Sequence, residues 1–351
     1  MAGVALEAAT ALGDRASVLR AELVANFTKL SADPGWSMAE ARAVAERVLE
    51  EAEQLGDQDV ADLAILASAQ ELFFLGRTSQ AIETLDRLSG RAPGMRRRVR
   101  TDVAAQLVVN AYFGGVPVED AFGILDRAAE IRGESLAGRA HDARVRGAVL
   151  GLAGRFDEAH DAFDEAESLY DELGSPSLKV VTNQVVGETL RLEGRLVEAE
   201  RVFRAMNEAY DAMEEKGFNS TVCAVLAHVL CDQGRFDEAE PFARRSREMS
   251  ADDDFASQSE WRTAQARVLA ERGRFEEALA LIDEALAIAD GTDYLDWQAQ
   301  GHEVRGVVLE AAGRGEEARA AYDDALDRFE RKGNVVAATR VRGRIRAVAA
   351  E

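Results

Sequence analysis

The sequence is poor in the residues that interrupt or cross-link a chain. Of its 351 residues only 5 are proline and 2 are cysteine. So little proline, with so much Ala, Leu, Glu and Arg, favours long amphipathic helices. Cys223 and Cys231 are eight residues apart in one predicted helix. At ~1.5 Å rise per residue they lie about 12 Å apart, too far for a disulfide. Two buried thiols in a reducing compartment are expected. Lysine is also rare: Lys29, Lys179, Lys216 and Lys332 are the only four, and none follows a glycine. That excludes a Walker-type phosphate loop. Basic charge falls short overall, 42 Lys and Arg against 64 Asp and Glu, a net −22. Nucleic acid and anionic membrane surfaces are therefore excluded as partners, and cationic ones favoured. No run approaches 18 uninterrupted apolar residues, and Met1–Asp14 lacks the features of a secretory signal. A soluble cytoplasmic protein is expected.

What the chain does have is a recurring phrase. It reads LAGRFDEA at Leu152–Ala159, LEGRLVEA at Leu192–Ala199, DQGRFDEA at Asp232–Ala239, ERGRFEEA at Glu271–Ala278 and AAGRGEEA at Ala311–Ala318. Its glycines, Gly154, Gly194, Gly234, Gly273 and Gly313, are spaced 40, 40, 39 and 40 residues apart. A fixed period of this size marks stacked helical hairpins. In each, a helix runs to the glycine, the chain turns, and a second helix begins at the acidic pair. Glycine fits because it enters a left-handed cap without strain. Carboxylates such as Asp157 and Glu158 suit the positive end of the next helix. Ala159, Ala199, Ala239, Ala278 and Ala318 allow the two helices to approach. Phe163, Phe203, Ala243, Ile282 and Tyr322 follow four positions on, as a buried seam.

The phrase resembles the tetratricopeptide repeat (TPR), which pairs a small residue seven before the turn glycine with an alanine five after it. Gly147, Gly187, Ala227, Ala266 and Gly306 take the first place. The unit is 40 residues rather than the usual 34, and the closing proline is missing. The resemblance implies an all-α, right-handed TPR-like superhelix, one continuous solenoid. An atypical N-terminal pair is expected over 1–56, with helices near Val4–Leu30 and Ser37–Gln54 about the turn Asp33-Pro34-Gly35. Repeats follow over 57–333, the earliest centred on Gly76 with Ala81, the next interrupted at Gly115–Pro117. A single helix is expected over Ser177–Leu192, and a capping helix over 334–351.

From about Leu12 onward the chain also resembles the C-terminal helical region of large actinobacterial signalling proteins. Those carry an AAA-type ATPase module with a class III adenylate/guanylate cyclase or a LuxR-type DNA-binding domain. The resembling stretches are GVPVEDAFGILDRA at Gly115–Ala128, ADDDFASQSEWRTAQARVLAERGRFEEA at Ala251–Ala278 and FERKGNVVAATRVR at Phe329–Arg342. The catalytic and DNA-binding motifs themselves are not in this sequence, so none of their residues carries over. The resemblance implies a regulatory role in nucleotide-dependent signalling or transcription, with a cyclase or ATPase catalytic domain as a partner.

No chemistry is expected. His141, His160, His228 and His302 stand far apart in sequence, on different helices, without metal-ligand spacing. The G-x-G-x-x-A letters at Gly313–Ala318 occupy a repeat turn rather than a strand-to-helix turn. Carboxylate pairs recur at helix starts in most units, which suits capping rather than acid–base work. No cofactor, metal or catalytic residue is assigned. In TPR arrays the first helix of each unit lines a concave groove. Aligning on the glycines gives His141, Arg144, Gln184, Glu188, Thr221, His228, Arg267 and Gln300 as groove candidates. Trp261 and Trp297 are large enough to anchor a partner or to pack between helices. The expected function is a non-enzymatic scaffold that binds a protein or peptide. The alternative is a small-molecule sensor whose groove encloses a ligand.

Overall fold

The computed structural model of the chain describes residues 11, 13–32 and 36–349. Among these every regular element is helical. The helices are α1 (Arg15–Ala32), α2 (Met38–Leu55), α3 (Gln58–Phe74), α4 (Thr78–Ser89), α5 (Arg97–Phe113), α6 (Val118–Arg132), α7 (Leu136–Leu152), α8 (Phe156–Glu172) and α9 (Pro176–Val181). They continue as α10 (Gln184–Glu193), α11 (Leu196–Ala212), α12 (Gly217–Asp232), α13 (Phe236–Met249), α14 (Phe255–Glu271), α15 (Phe275–Ala289), α16 (Leu295–Ala311), α17 (Gly315–Lys332) and α18 (Val335–Val348). The turn Asp33-Pro34-Gly35 and most of the first expected helix before Arg15 lie outside the described residues.

The repeated phrase folds the same way each time. The turn glycines 76, 154, 194, 234, 273 and 313 all adopt positive φ. After each, the arginine amide donates to a leucine carbonyl five residues back, as in Arg155 N to Leu150 O and Arg314 N to Leu309 O, both 2.9 Å. This closes the helix end with a six-to-one bond. The same arginine then grips the glutamate three residues on: Arg155–Glu158, Arg235–Glu238, Arg274–Glu277 and Arg314–Glu317 all pair. The recurring carboxylates are thus tied to their own turn.

Inside a hairpin, small faces large. A Cβ on Gly147, Gly187 or Gly306 would lie 2.4–2.7 Å from the rings of Phe163, Phe203 or Tyr322. Units with Ala227 and Ala266 at that place carry the smaller Ala243 and Ile282 instead, all fully buried. A larger residue at the first place thus goes with a smaller one at the second, as close packing demands.

Two expectations change. The helix foreseen over Ser177–Leu192 breaks at Thr182-Asn183 into α9 and α10. Three successive β-branched residues precede Asn183, and the Thr182 hydroxyl bonds back to Leu178 O at 2.8 Å. Arg144 reaches across to the freed Lys179 carbonyl at 3.2 Å and to the Thr182 hydroxyl. Also, the hairpins do not lean on their neighbours alone. The superhelix winds so tightly that its second turn seats on the first. Asp293 N donates to Gly76 O at 2.8 Å, and the Asp293 carboxylate accepts from Thr78 N, Thr78 Oγ1 and Ser79 N at 2.6–2.9 Å. Tyr294 Oη donates to Phe73 O at 3.1 Å, and Met38 N to Asp253 Oδ2 at 2.8 Å.

Lys332, fully buried at the end of α17, donates to the carbonyls of Ala111, Gly114 and Val116 at 2.7–3.0 Å. The irregular segment Gly114–Pro117 is therefore its dock. Phe73, Phe113, Phe255, Tyr294 and Trp297 pack edge-on, tilted and stacked around the same seam, with ring centroids 4.9–6.1 Å apart. Five of the chain's aromatic side chains meet here. Seam partners are 293 − 76 = 217 and 332 − 114 = 218 residues apart. Dividing 217 by the period of 40 gives about five and a half hairpins per superhelical turn.

Candidate binding cavity

Winding at this pitch wraps the first helices of successive hairpins around a central cavity of about 360 Å³. Helices α5, α7, α10, α12, α14 and α16 supply its wall, with residues from α17 and α18 closing it. The last helix, expected to cover an end, packs on α17 and also turns Ala337, Arg340 and Arg344 into the cavity.

The charged lining is ordered into pairs. Arg191 Nε donates to Asp232 Oδ2 at 2.6 Å, and Arg267 Nη2 reaches Asp232 Oδ1 at 2.7 Å. Burial works against the charge of Asp232, but these two guanidinium groups outweigh it and hold the carboxyl below the usual range. Arg340 grips Glu303 with two bonds, 2.8 and 2.7 Å. Gln300 bridges the middle: its Oε1 accepts from Arg191 at 3.2 Å and its Nε2 donates to Glu260 Oε2 at 3.0 Å. Glu188 accepts from Tyr112 Oη and Gln184 Nε2, each at 2.9 Å. Asp296 accepts from Asn334 Nδ2 at 3.0 Å. Burial raises the carboxyls of Glu188 and Asp296, and lifts Glu260 to about 7.

Of the eight residues aligned on the glycines, Glu188, Arg267 and Gln300 line this cavity. Gln184 stands behind Glu188 as its donor. His228 is fully buried in the wall, its Nε2 within 3.2 Å of Glu260 O and 3.1 Å of Thr263 Oγ1. Burial, with Arg191 and Arg267 nearby, keeps its imidazole neutral. Thr221 pairs with Ser257 at 2.8 Å between α12 and α14. Arg144 is buried at the α9–α10 break, over the Tyr170 ring at 4.3 Å. His141 lies near it, and burial pushes its imidazole down to about 4. Thr221, Arg144 and His141 are outside the lining. Trp261 is buried beneath Arg247 and Arg262, whereas Trp297 faces the cavity.

The glycine alignment passed over Arg191, Asp232, Glu260, Asp296, Glu303 and Arg340, which all line the cavity. For two of these the signal was present: Glu303 stands 313 − 303 = 10 residues before its turn glycine, as Gln184 (194 − 184) and Arg144 (154 − 144) do, and Glu260 shares the register of Gln300. Gln300 stands 313 − 300 = 13 residues before its turn glycine, and Glu260 stands 273 − 260 = 13 before its own. Among the described residues no group of His, Cys, Asp and Glu is arranged to hold a metal, and no helix is long and apolar enough to cross a membrane.

Several solved structures share this architecture at low identity. A Rap protein complexed with Competence and Sporulation Factor is 13% identical, covers 94% of this chain and 97% of its own, and superposes with a TM-score of 0.55. The APC/C hetero-tetramer Cut9–Hcn1 gives 12% identity over 96% of this chain and 57% of that one, with a TM-score of 0.57. NprR in complex with its cognate peptide NprX gives 12% identity, 87% and 88% coverage, and a TM-score of 0.51. These likenesses speak to the fold. No curated protein matches in sequence. Residues 131–349 match the profile of the MalT-like TPR region, more than half of the chain, and the protein belongs to that family.

Proposed function

We propose that this protein is a non-enzymatic binding module that takes a segment of a partner protein, or a short peptide, into its central cavity. The observation that carries the reading is the cavity itself. It is walled by the first helices of successive hairpins, holds about 360 Å³, and presents fixed charges of both signs beside the Trp297 ring. Concave sites of this size with a few placed polar groups are the usual form of a ligand pocket. The solved Rap and NprR structures, similar in fold, hold a factor and a cognate peptide. A regulatory setting in nucleotide-dependent signalling or transcription, with a catalytic domain as partner, belongs to the same proposal. So does a cytoplasmic location, which suits two buried free thiols.

A second reading is favoured by the seam. Because the second turn seats on the first, the site is a partly enclosed cavity rather than an open groove, and a small metabolite would fit it. Thermal-shift screening of peptide pools and a metabolite panel, with Gln300→Ala as the cavity control, separates the two. Peptide-dependent stabilisation that Gln300→Ala abolishes is expected. Stabilisation by one metabolite and by no peptide would replace the first reading with the second.

A further inference from the structure

We propose that the cavity is built to receive a cationic group, an ammonium or guanidinium carried by its ligand, with Glu260, Asp296 and Glu188 as the receiving carboxylates. The inference rests on the binding function proposed above and names the chemistry of what binds.

Every arginine of the lining already has its acid. Arg191 and Arg267 share Asp232, Arg340 holds Glu303, and Arg344 stands 3.7 Å from Glu310. The other three lining carboxylates have no arginine or lysine within 4.0 Å among the described residues. Their hydrogen-bond partners are neutral: Tyr112 and Gln184 for Glu188, Asn334 for Asp296, Gln300 for Glu260. His228 approaches Glu260 at 3.5 Å, but its buried imidazole stays neutral and brings no charge. Lys332 is near enough to favour the Asp296 charge, yet its three protons are taken by backbone carbonyls.

Two oxygens are left over. Glu260 is only 3% exposed; its Oε2 accepts from Gln300, and its Oε1 has no donor among the described residues. Asp296 uses Oδ1 for Asn334 and leaves Oδ2 without a donor. Both side chains line the cavity. Glu188, also in the lining, repels both electrostatically, so the three form one field. A buried carboxylate without a counter-charge is costly, and a neutral or apolar residue would fill the space at less cost. The wall beside them is aromatic, with Tyr112, Phe113 and Trp297, whose faces also favour a cation. Arg191 near Glu188 and Glu260, and Arg340 near Asp296, favour the carboxylate charges from beyond ion-pair distance while each is held by another acid, so an anionic group would meet the three carboxylates directly.

The cation can come from a basic side chain or amino terminus of a peptide, or from a free polyamine. The test measures binding by calorimetry to four pentapeptide pools that differ only at the central residue, Lys, Arg, norleucine or Glu, and to spermidine. The Lys and Arg pools should bind at least ten-fold tighter than the norleucine pool, and the Glu pool most weakly. Glu260→Gln and Asp296→Asn, checked for native circular dichroism, should each cost the Lys pool ten-fold or more and erase most of its advantage over the norleucine pool. Spermidine binding without peptide binding, lost in both variants, would make the free amine the source and uphold the cation site. Equal binding of the norleucine or Glu pool, or a Lys pool indifferent to both variants, would overturn the inference while leaving the binding function in place. Absence of binding by every pool and by spermidine would overturn both.

Discussion

Hairpin and seam both terminate helices and bury faces, but with opposite chemistry. Within a hairpin the work is done by small residues and backbone. Alanines with no exposed surface, glycine set against a ring, and the arginine amide on a leucine carbonyl recur unit after unit. At the seam it is done by single, unrepeated side chains: Asp293 across the start of α4, Lys332 on the carbonyls after α5, and Tyr294 among the aromatics. The start of α4 shows the difference. Asp57 and Asp254 cap the helices that follow them in sequence, through Val60 N and Ser257 N. For α4, whose own preceding residue Arg77 offers no side-chain cap, Asp293 arrives from one superhelical turn away. Repetition sets how hairpins stack; exceptions set how turns stack.

Substitutions can separate the two. The largest effect is expected inside a hairpin. Ala239→Glu places a carboxylate where no surface is exposed, and should lower unfolding free energy by roughly 3 kcal/mol or more. A denaturation midpoint equal to wild type would contradict the register. Next is Lys332→Met, which strips three buried carbonyls of their donor and should cost roughly 2–3 kcal/mol.

The Lys332 effect has a pH signature. Burial lowers the Lys332 ammonium from 10.5 to about 8. Between those values the unfolded chain binds the extra proton, so the wild type gains stability with rising pH and Lys332→Met lacks that gain. Parallel urea titrations at pH 7.5 and pH 10 should show the gap between them widening. Asp293→Ala should cost about 1–2 kcal/mol, in the range of a lost helix cap. Amide exchange should quicken at Thr78 and Ser79 while Val60 keeps its protection; uniform exchange at both would merge seam and hairpin into one class. Smallest is Glu317→Gln. The side chain is exposed and pairs only with Arg314 of its own turn, so the melting curve should overlay the wild type.

The same division decides what the sequence could tell. A period is visible to the eye, so the turn glycines, the interior alanines and the helix order were legible, and the described helices follow them. Pitch is not written in any one unit. Whether the second turn would touch the first depended on small rotations summed over about five hairpins. Two marks of it were in plain view, the interruption at Gly115–Pro117 and a lysine in a chain whose basic residues are mostly arginine, but each has a local explanation. The cavity was legible in part for the same reason. Residues keeping a fixed distance from the glycine, such as Glu188, Arg267 and Gln300, could be aligned onto the wall. Asp296 and Arg340 could not, because one sits in the first turn of its helix, where the aligned positions of the four preceding units carry no charge, and the other on a helix outside the repeat.

An open solenoid can gain or lose a hairpin anywhere and still fold, since each addition meets the same neighbour. This one cannot be edited so freely. Splicing one 40-residue unit into the stretch between Val116 and Thr292 would carry Asp293 and Lys332 past their partners by about a fifth of a revolution. The array thus has a preferred length, as a screw thread has a lead that a single nut must match.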